Sequence, residues 1–150
     1  MDLSLTVNGL EVQESVEPQE LLLDFLRRRL RLTGAKRSCD VQVCGTCTVL
    51  VDGLPVSACN YLAAEAEGRD VLTIEGFSQM PEFEEFEAAF VEHAAVQCGY
   101  CIPGLLLTIK SLRDAGELST EEDIRHGLDG NLCRCTGYRS ILEAARQVAG

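Results

Sequence analysis

The chain has 150 residues, 46% of them hydrophobic, with no Trp and a net charge of −11. That length holds one domain or two small ones, and an acidic surface repels the phosphates of a nucleic-acid partner. Eight cysteines are far above ordinary usage and need an explanation of their own.

The chain opens with Leu3-Ser4-Leu5-Thr6-Val7, which alternates apolar and polar residues. Asn8-Gly9 offers a tight turn and Leu10 and Val12 resume the alternation, so a β-hairpin is predicted. Pro18 opens a predicted helix through Leu30, with Leu22, Leu23, Leu26 and Leu30 at helical spacing. Its acid, Glu20, lies in the first turn and its arginines in the last, as the macrodipole prefers. A loop bearing Cys39, Cys44 and Cys47 follows. Thr48–Val51, the turn Asp52-Gly53 and Leu54–Val56 then make a second hairpin. A short helical turn is expected over Tyr61–Ala66 and a last strand over Asp70–Glu75. The order ββαβββ, with one helix laid across a mixed sheet, is a β-grasp arrangement.

Gly76 to Pro81 reads as a linker, which places the domains at 1–77 and 78–150. Beyond it the apolar period changes from 2 to 3.6. Glu82–Val96 carries Phe83, Phe86 and Phe90 on one face with acids on the other. Leu105, Leu106, Ile109 and Leu112 mark a second helix ending near Gly116. Ser119-Thr120-Glu121-Glu122 is a capping signature for a third, through about Leu128. Ile141, Leu142, Ala145 and Val148 give the last. Four helices in two pairs form a small bundle, so the fold class is α+β.

Cys39, Cys44 and Cys47 have the spacing C-x4-C-x2-C, and Cys59 comes twelve residues later. Three ligands in one loop and a fourth further on is the spacing of a plant-type [2Fe–2S] site. Gly45 lets the loop turn inward. The helical half has its own four, Cys98 and Cys101 in a C-x2-C and Cys133 and Cys135 in a C-x-C, each between helices. Zinc competes for this second set, although zinc sites usually pair two C-x2–4-C loops. A redox C-x-x-C expects a preceding strand, which is missing here. Disulfides are disfavoured because Met1-Asp2-Leu3-Ser4-Leu5-Thr6-Val7 has no signal-peptide pattern, which points to a cytoplasmic chain with reduced thiols. The longest uncharged runs, Val41–Val51 and Ala94–Ile109, fall short of a membrane span.

Arg27, Arg28, Arg29, Arg31, Lys36 and Arg37 gather before the first cysteine loop. They read as a solvated helix face, the alternative being a positive field that favours a reduced cluster or docks a partner. His93 and His126 read as surface residues. Neither G-x-G-x-x-G nor G-x-x-x-x-G-K-[ST] is present, and no catalytic Ser/His/Asp set or carboxylate pair stands out. The chain has electron-transfer sites and no place for substrate chemistry.

Gln97-Cys98-Gly99-Tyr100-Cys101-Ile102-Pro103-Gly104 and Gly130-Asn131-Leu132-Cys133-Arg134-Cys135-Thr136-Gly137-Tyr138, taken with the first loop, resemble the small iron–sulfur subunit of the molybdenum hydroxylases. That family includes xanthine dehydrogenase, aldehyde oxidoreductase and carbon monoxide dehydrogenase. The resemblance spans the whole chain. It implies a plant-ferredoxin-like β-grasp domain followed by a four-helix domain, each with a [2Fe–2S] cluster. It also implies that Cys98, Cys101, Cys133 and Cys135 hold the cluster that takes electrons from a molybdopterin in a large partner subunit. Cys39, Cys44, Cys47 and Cys59 then hold the one that passes them on, usually to FAD in a medium subunit, within a dimer of heterotrimers. Gln97 matches a position that contacts the pterin. A stand-alone two-cluster ferredoxin is the alternative. Ser38 and Gln42 stand where the family often has glycines, and a side chain held there at positive φ costs on the order of 1 kcal/mol. A Ser38 hydroxyl bonded to a sulfur would raise the cluster potential. With two independent sites, Cys101→Ser is expected to disturb the second cluster alone.

Overall fold

The computed structural model describes residues 1–150. Strand β1 (Asp2–Val7) turns at Asn8-Gly9 into β2 (Leu10–Ser15), in register from Asp2↔Ser15 to Val7↔Leu10. Strands β3 (Thr48–Val51) and β4 (Leu54–Ser57) form the second hairpin, and β5 (Asp70–Leu72) completes the sheet. The spatial order is β2-β1-β5-β3-β4. β5 runs parallel to β1 and antiparallel to β3, so the sheet is mixed. A helical segment crosses one face: α1 (Leu22–Asp24) widens into a π-helical turn over Phe25–Arg29. Its Leu22, Leu23, Phe25 and Leu26 meet Leu3, Leu5, Val7, Val49, Val51 and Val71 in the first core.

Three sequence expectations shift here. The helix starts at Leu22, not Pro18, because Leu21 forms a β-bridge with Leu62. Leu22 N–H also donates to Tyr61 O, and Ala63 N–H to Glu20 O, which holds that backbone extended. The last strand stops at Leu72. Thr73 N–H is taken by the Asn8 side chain at 2.8 Å, and the chain turns into α2 (Ile74–Phe77). The segment read as a linker is thereby partly structured: Phe77 is fully buried in the helical core, edge-on to Phe83 and Phe86.

The second half consists of α3 (Phe83–Glu92), α4 (Ile102–Asp114), α5 (Glu121–Gly127) and α6 (Arg139–Ala149). Thr120 caps α5 in a reciprocal capping box with Asp123. α3 ends at Glu92, short of the expected Val96, and Ala94 beyond it holds φ at +50°. Every residue of β3 is buried, which explains its unbroken apolar run. Val49 and Val51 face the first core, whereas Leu50 points the other way into the helical one. α4 covers that second face, and its Ser111 hydroxyl donates to Gly53 O at 2.7 Å. The two halves therefore share a strand.

Candidate metal centres

Two loops present the first four thiols. Cys39 and Cys44 bound a tight coil in which Asp40 and Gln42 both hold positive φ, +57° and +58°. That coil aims the N–H groups of Val41, Val43 and Cys44 at Cys39 Sγ, 3.4–3.5 Å away. These donors pull the Cys39 pKa down to about 6. Cys47 leads into β3 and Cys59 sits on the 3₁₀ turn Ala58–Asn60 after β4. Burial pushes Cys47 up to about 12, reinforced by the neighbouring thiols of Cys59 and Cys44. The Thr46 hydroxyl lies 3.3 Å from Cys44 Sγ and donates to Lys36 O. Of this set only Cys39 is partly exposed, and Val41 and Val43 beside it face solvent.

The second four meet where the connection before α4 faces the connection before α6. Cys98 and Cys135 touch at 3.5 Å and are both exposed. Cys101, buried at the start of α4, is pushed up to about 12 by its desolvation and then by the neighbouring Cys133. The Tyr100 N–H, first among the causes, lowers Cys98, and the Cys98 thiol raises Cys135. Burial works to raise Cys133, but the Thr136 hydroxyl, donating at 3.1 Å, helps bring it down. Gln97 is exposed beside Cys98, with Val96, Tyr100 and Leu132 as apolar, half-exposed neighbours.

Within each set the thiols lie close enough to shift one another: Cys59 and Cys44 both raise Cys47, Cys133 and Cys98 both raise Cys101, and Cys98 and Cys135 touch at 3.5 Å. Four thiols in each set supply two ligands for each iron of a two-iron cluster. All eight cysteines are free of disulfides, with N–H donors aimed at Cys39 Sγ and a hydroxyl at Cys133 Sγ. The donor set fits thiolate-bound iron.

The two loops also touch each other. Leu132 N–H donates to Cys44 O at 2.8 Å, and Asn131 Nδ2 to Gly45 O at 3.3 Å. Tyr100 O–H donates to Arg37 O at 2.6 Å. Gly45 holds φ at +68°, and a side chain there would strike Gly130 O at 2.3 Å. One on Gly104 would strike Gly45 O at 2.2 Å. Sequence reasoning missed Asn131, Thr46, Thr136 and Tyr138; their one signal was a short polar or aromatic residue set close to a ligand.

The basic group before Cys39 is mostly engaged. Arg27 donates to Thr33 O and Ala35 O, Arg28 and Arg29 pair with Asp24 and Glu20, and Arg37 joins Asp24 to Asp40. Arg37 thereby braces the cysteine loop, while Arg28, Arg29 and Arg31 stay exposed as a solvated face. Ser38 makes no hydrogen bond to a sulfur, so nothing here tunes the first site through its hydroxyl. His93 bonds Gln147 and His126 lies near Asp129, both far from ligand roles.

Residues 5–73 match the family described as a 2Fe-2S iron-sulfur cluster binding domain, and residues 73–146 the one described as a [2Fe-2S] binding domain. The chain is 42% identical to caffeine dehydrogenase subunit gamma of Pseudomonas sp. strain CBB1, over 98% of this chain and 90% of that one. It is 40% identical to the nicotine 6-hydroxylase small subunit of Paenarthrobacter nicotinovorans, over 100% and 90%. The crystal structure of quinoline 2-oxidoreductase from Pseudomonas putida 86 superposes with a TM-score of 0.93 at 41% identity, covering 99% of this chain and 93% of that chain.

Proposed function

The chain belongs to the small iron–sulfur subunits of the molybdenum hydroxylases, and from that premise we propose how its residues hold and route electrons. It is an electron-transfer subunit with two [2Fe–2S] domains, working with partner subunits in an oxidoreductase complex; a stand-alone ferredoxin is not favoured, because its relatives are subunits. The observation that carries the reading is the gathering of eight free thiols in two sites of four, whose loops are hydrogen-bonded to each other.

In this reading Cys39, Cys44, Cys47 and Cys59 ligate the first cluster and Cys98, Cys101, Cys133 and Cys135 the second. A [2Fe–2S] cluster held by each set would supply one-electron redox chemistry. The protein supplies spacing and field. The N–H groups on Cys39 Sγ and the Thr136 hydroxyl on Cys133 Sγ stabilise added negative charge and so favour reduction. Burial of Cys47, Cys59 and Cys101 keeps water from the inner sulfurs. Exposed Cys98 and Cys135 form the edge that receives electrons, with Gln97 beside them to contact the pterin of a large subunit. Cys39, framed by Val41 and Val43, forms the edge that gives them up, to FAD in a medium subunit. A dimer of heterotrimers in the cytoplasm is the assembly proposed; no helix here is long and apolar enough to cross a membrane. The relatives named above carry the names of caffeine, nicotine and quinoline, so nitrogen heterocycles are the substrates to test first.

EPR of the dithionite-reduced protein, with iron and acid-labile sulfide assayed on the same sample, tests the ligand assignment. Two S = 1/2 signals with about four irons and four sulfides per chain are expected. One signal with half the iron and bound zinc would overturn the second site.

A further inference from the structure

The hydrogen bonds between the loops run in one direction. Gly130-Asn131-Leu132 leads into Cys133 and belongs by sequence to the second site. Its donors nevertheless go to the first: Leu132 N–H to Cys44 O and Asn131 Nδ2 to Gly45 O. Cys44 is a proposed ligand of the first cluster and Gly45 the turn that carries the chain on to Cys47. Asn131 is buried, only 4% exposed, so losing this bond would leave its amide poorly solvated.

The turn that holds Asn131 is itself pinned. Tyr138 O–H donates to Asn131 O at 3.0 Å and accepts from Cys133 N–H at 2.9 Å. On the far side the backbone of Gly45 lies against Gly104, where no Cβ would fit. Thr48 adds its hydroxyl to Gly45 O at 2.8 Å. The Gly45 peptide is thus clamped between Gly130-Asn131 on one side and the first turn of α4 on the other.

We propose that Asn131 is a positioning residue for the first cluster, acting across the domain boundary through Gly45, although it sits two residues from a ligand of the second. This rests on the ligand assignment above. It goes beyond that assignment because residues 1–73 alone would lack the clamp. The Cys39–Cys47 loop takes its working shape only with the helical half in place.

The test uses the full chain carrying both clusters, with each EPR signal followed on its own. Asn131→Asp keeps the shape and turns the donor edge into an acceptor facing Gly45 O. The g-values and reduction potential of the first cluster should shift. In bathophenanthroline its signal should fade at least about fivefold faster, the scale of one lost hydrogen bond. The second cluster's g-values and decay should hold. A first signal that keeps the wild-type g-values, potential and decay overturns the proposal, whether or not the second changes. Where Asn131→Asp loses both signals, Asn131→Ala, which removes the donor without adding charge, decides by the same criteria. Failure of the ligand assignment looks different: the unmutated protein itself would then lack two signals.

Discussion

At the scale of single residues, the thiols of each site differ widely in how readily they ionise. With iron stripped, Cys39 at about 6 is mainly thiolate at neutral pH, while Cys47 and Cys101 at about 12 are thiols. Iodoacetamide at pH 7 should therefore label Cys39 at least about tenfold faster than either, by mass spectrometry of peptides, and the Cys39 rate itself should fall off below about pH 6 as its thiolate is protonated. Gln42 is a second case. Its positive φ makes it a strained non-glycine, and its side-chain oxygen accepts from Asn60, next to Cys59. Gln42→Gly relieves about 1 kcal/mol of strain but loses that exposed bond and adds unfolded-state freedom. The unfolding free energy from denaturant titration should change by less than about 1 kcal/mol either way, and a larger loss would give the Gln42–Asn60 contact a role in holding the loop shut. Sequence could show that Gln42 replaces a common glycine. It could not show that Ser38, four residues earlier, escapes the same strain, because φ is set by how the whole coil closes around Cys39.

Among elements, the short helix α2 does more than its length suggests. Glu75 accepts from Gly34 N–H and from the Thr73 hydroxyl, both at 2.7 Å, fastening the approach to the cysteine loop. Burial raises its pKa, but the Thr73 and Gly34 donors and nearby Lys36 outweigh it, and the net shift is downward. A carboxylate lowered on folding adds stability above its unfolded value of 4.5, which is lost as pH falls through the folded value. Glu75→Gln should flatten that acid limb in urea midpoints taken between about pH 3 and 7, and an unchanged limb would remove Glu75 from the account. Phe77, two residues on and fully buried between Phe83 and Phe86, should cost about 3–5 kcal/mol as Phe77→Ala. Hairpins, the four long helices and both cysteine sets were legible because period, turn chemistry and spacing are local. The late start of the first helix and the early end of β5 were not, since the Leu21–Leu62 bridge and the Asn8–Thr73 bond join residues 41 and 65 positions apart.

For the whole molecule, two compositional halves suggested two independent sites, and the structure ties them through β3 and the Cys44–Leu132 bond. Ligand variants should accordingly be unequal. Cys133→Ser, in the turn that clamps Gly45, should perturb both EPR signals, whereas Cys101→Ser should disturb mainly the second; equal and isolated losses would restore full independence. The placement of β5 sets an order of events as well. It is the last strand to be made and the central one in the sheet, between β1 and β3. On the ribosome the two hairpins emerge before the strand that pairs with both. Residues 70–72 zip them together, and only afterwards does the helical half arrive to brace the Gly45 turn. Newborn chains thus carry all four thiols of the first site before their surroundings exist, and iron is best delivered after synthesis ends.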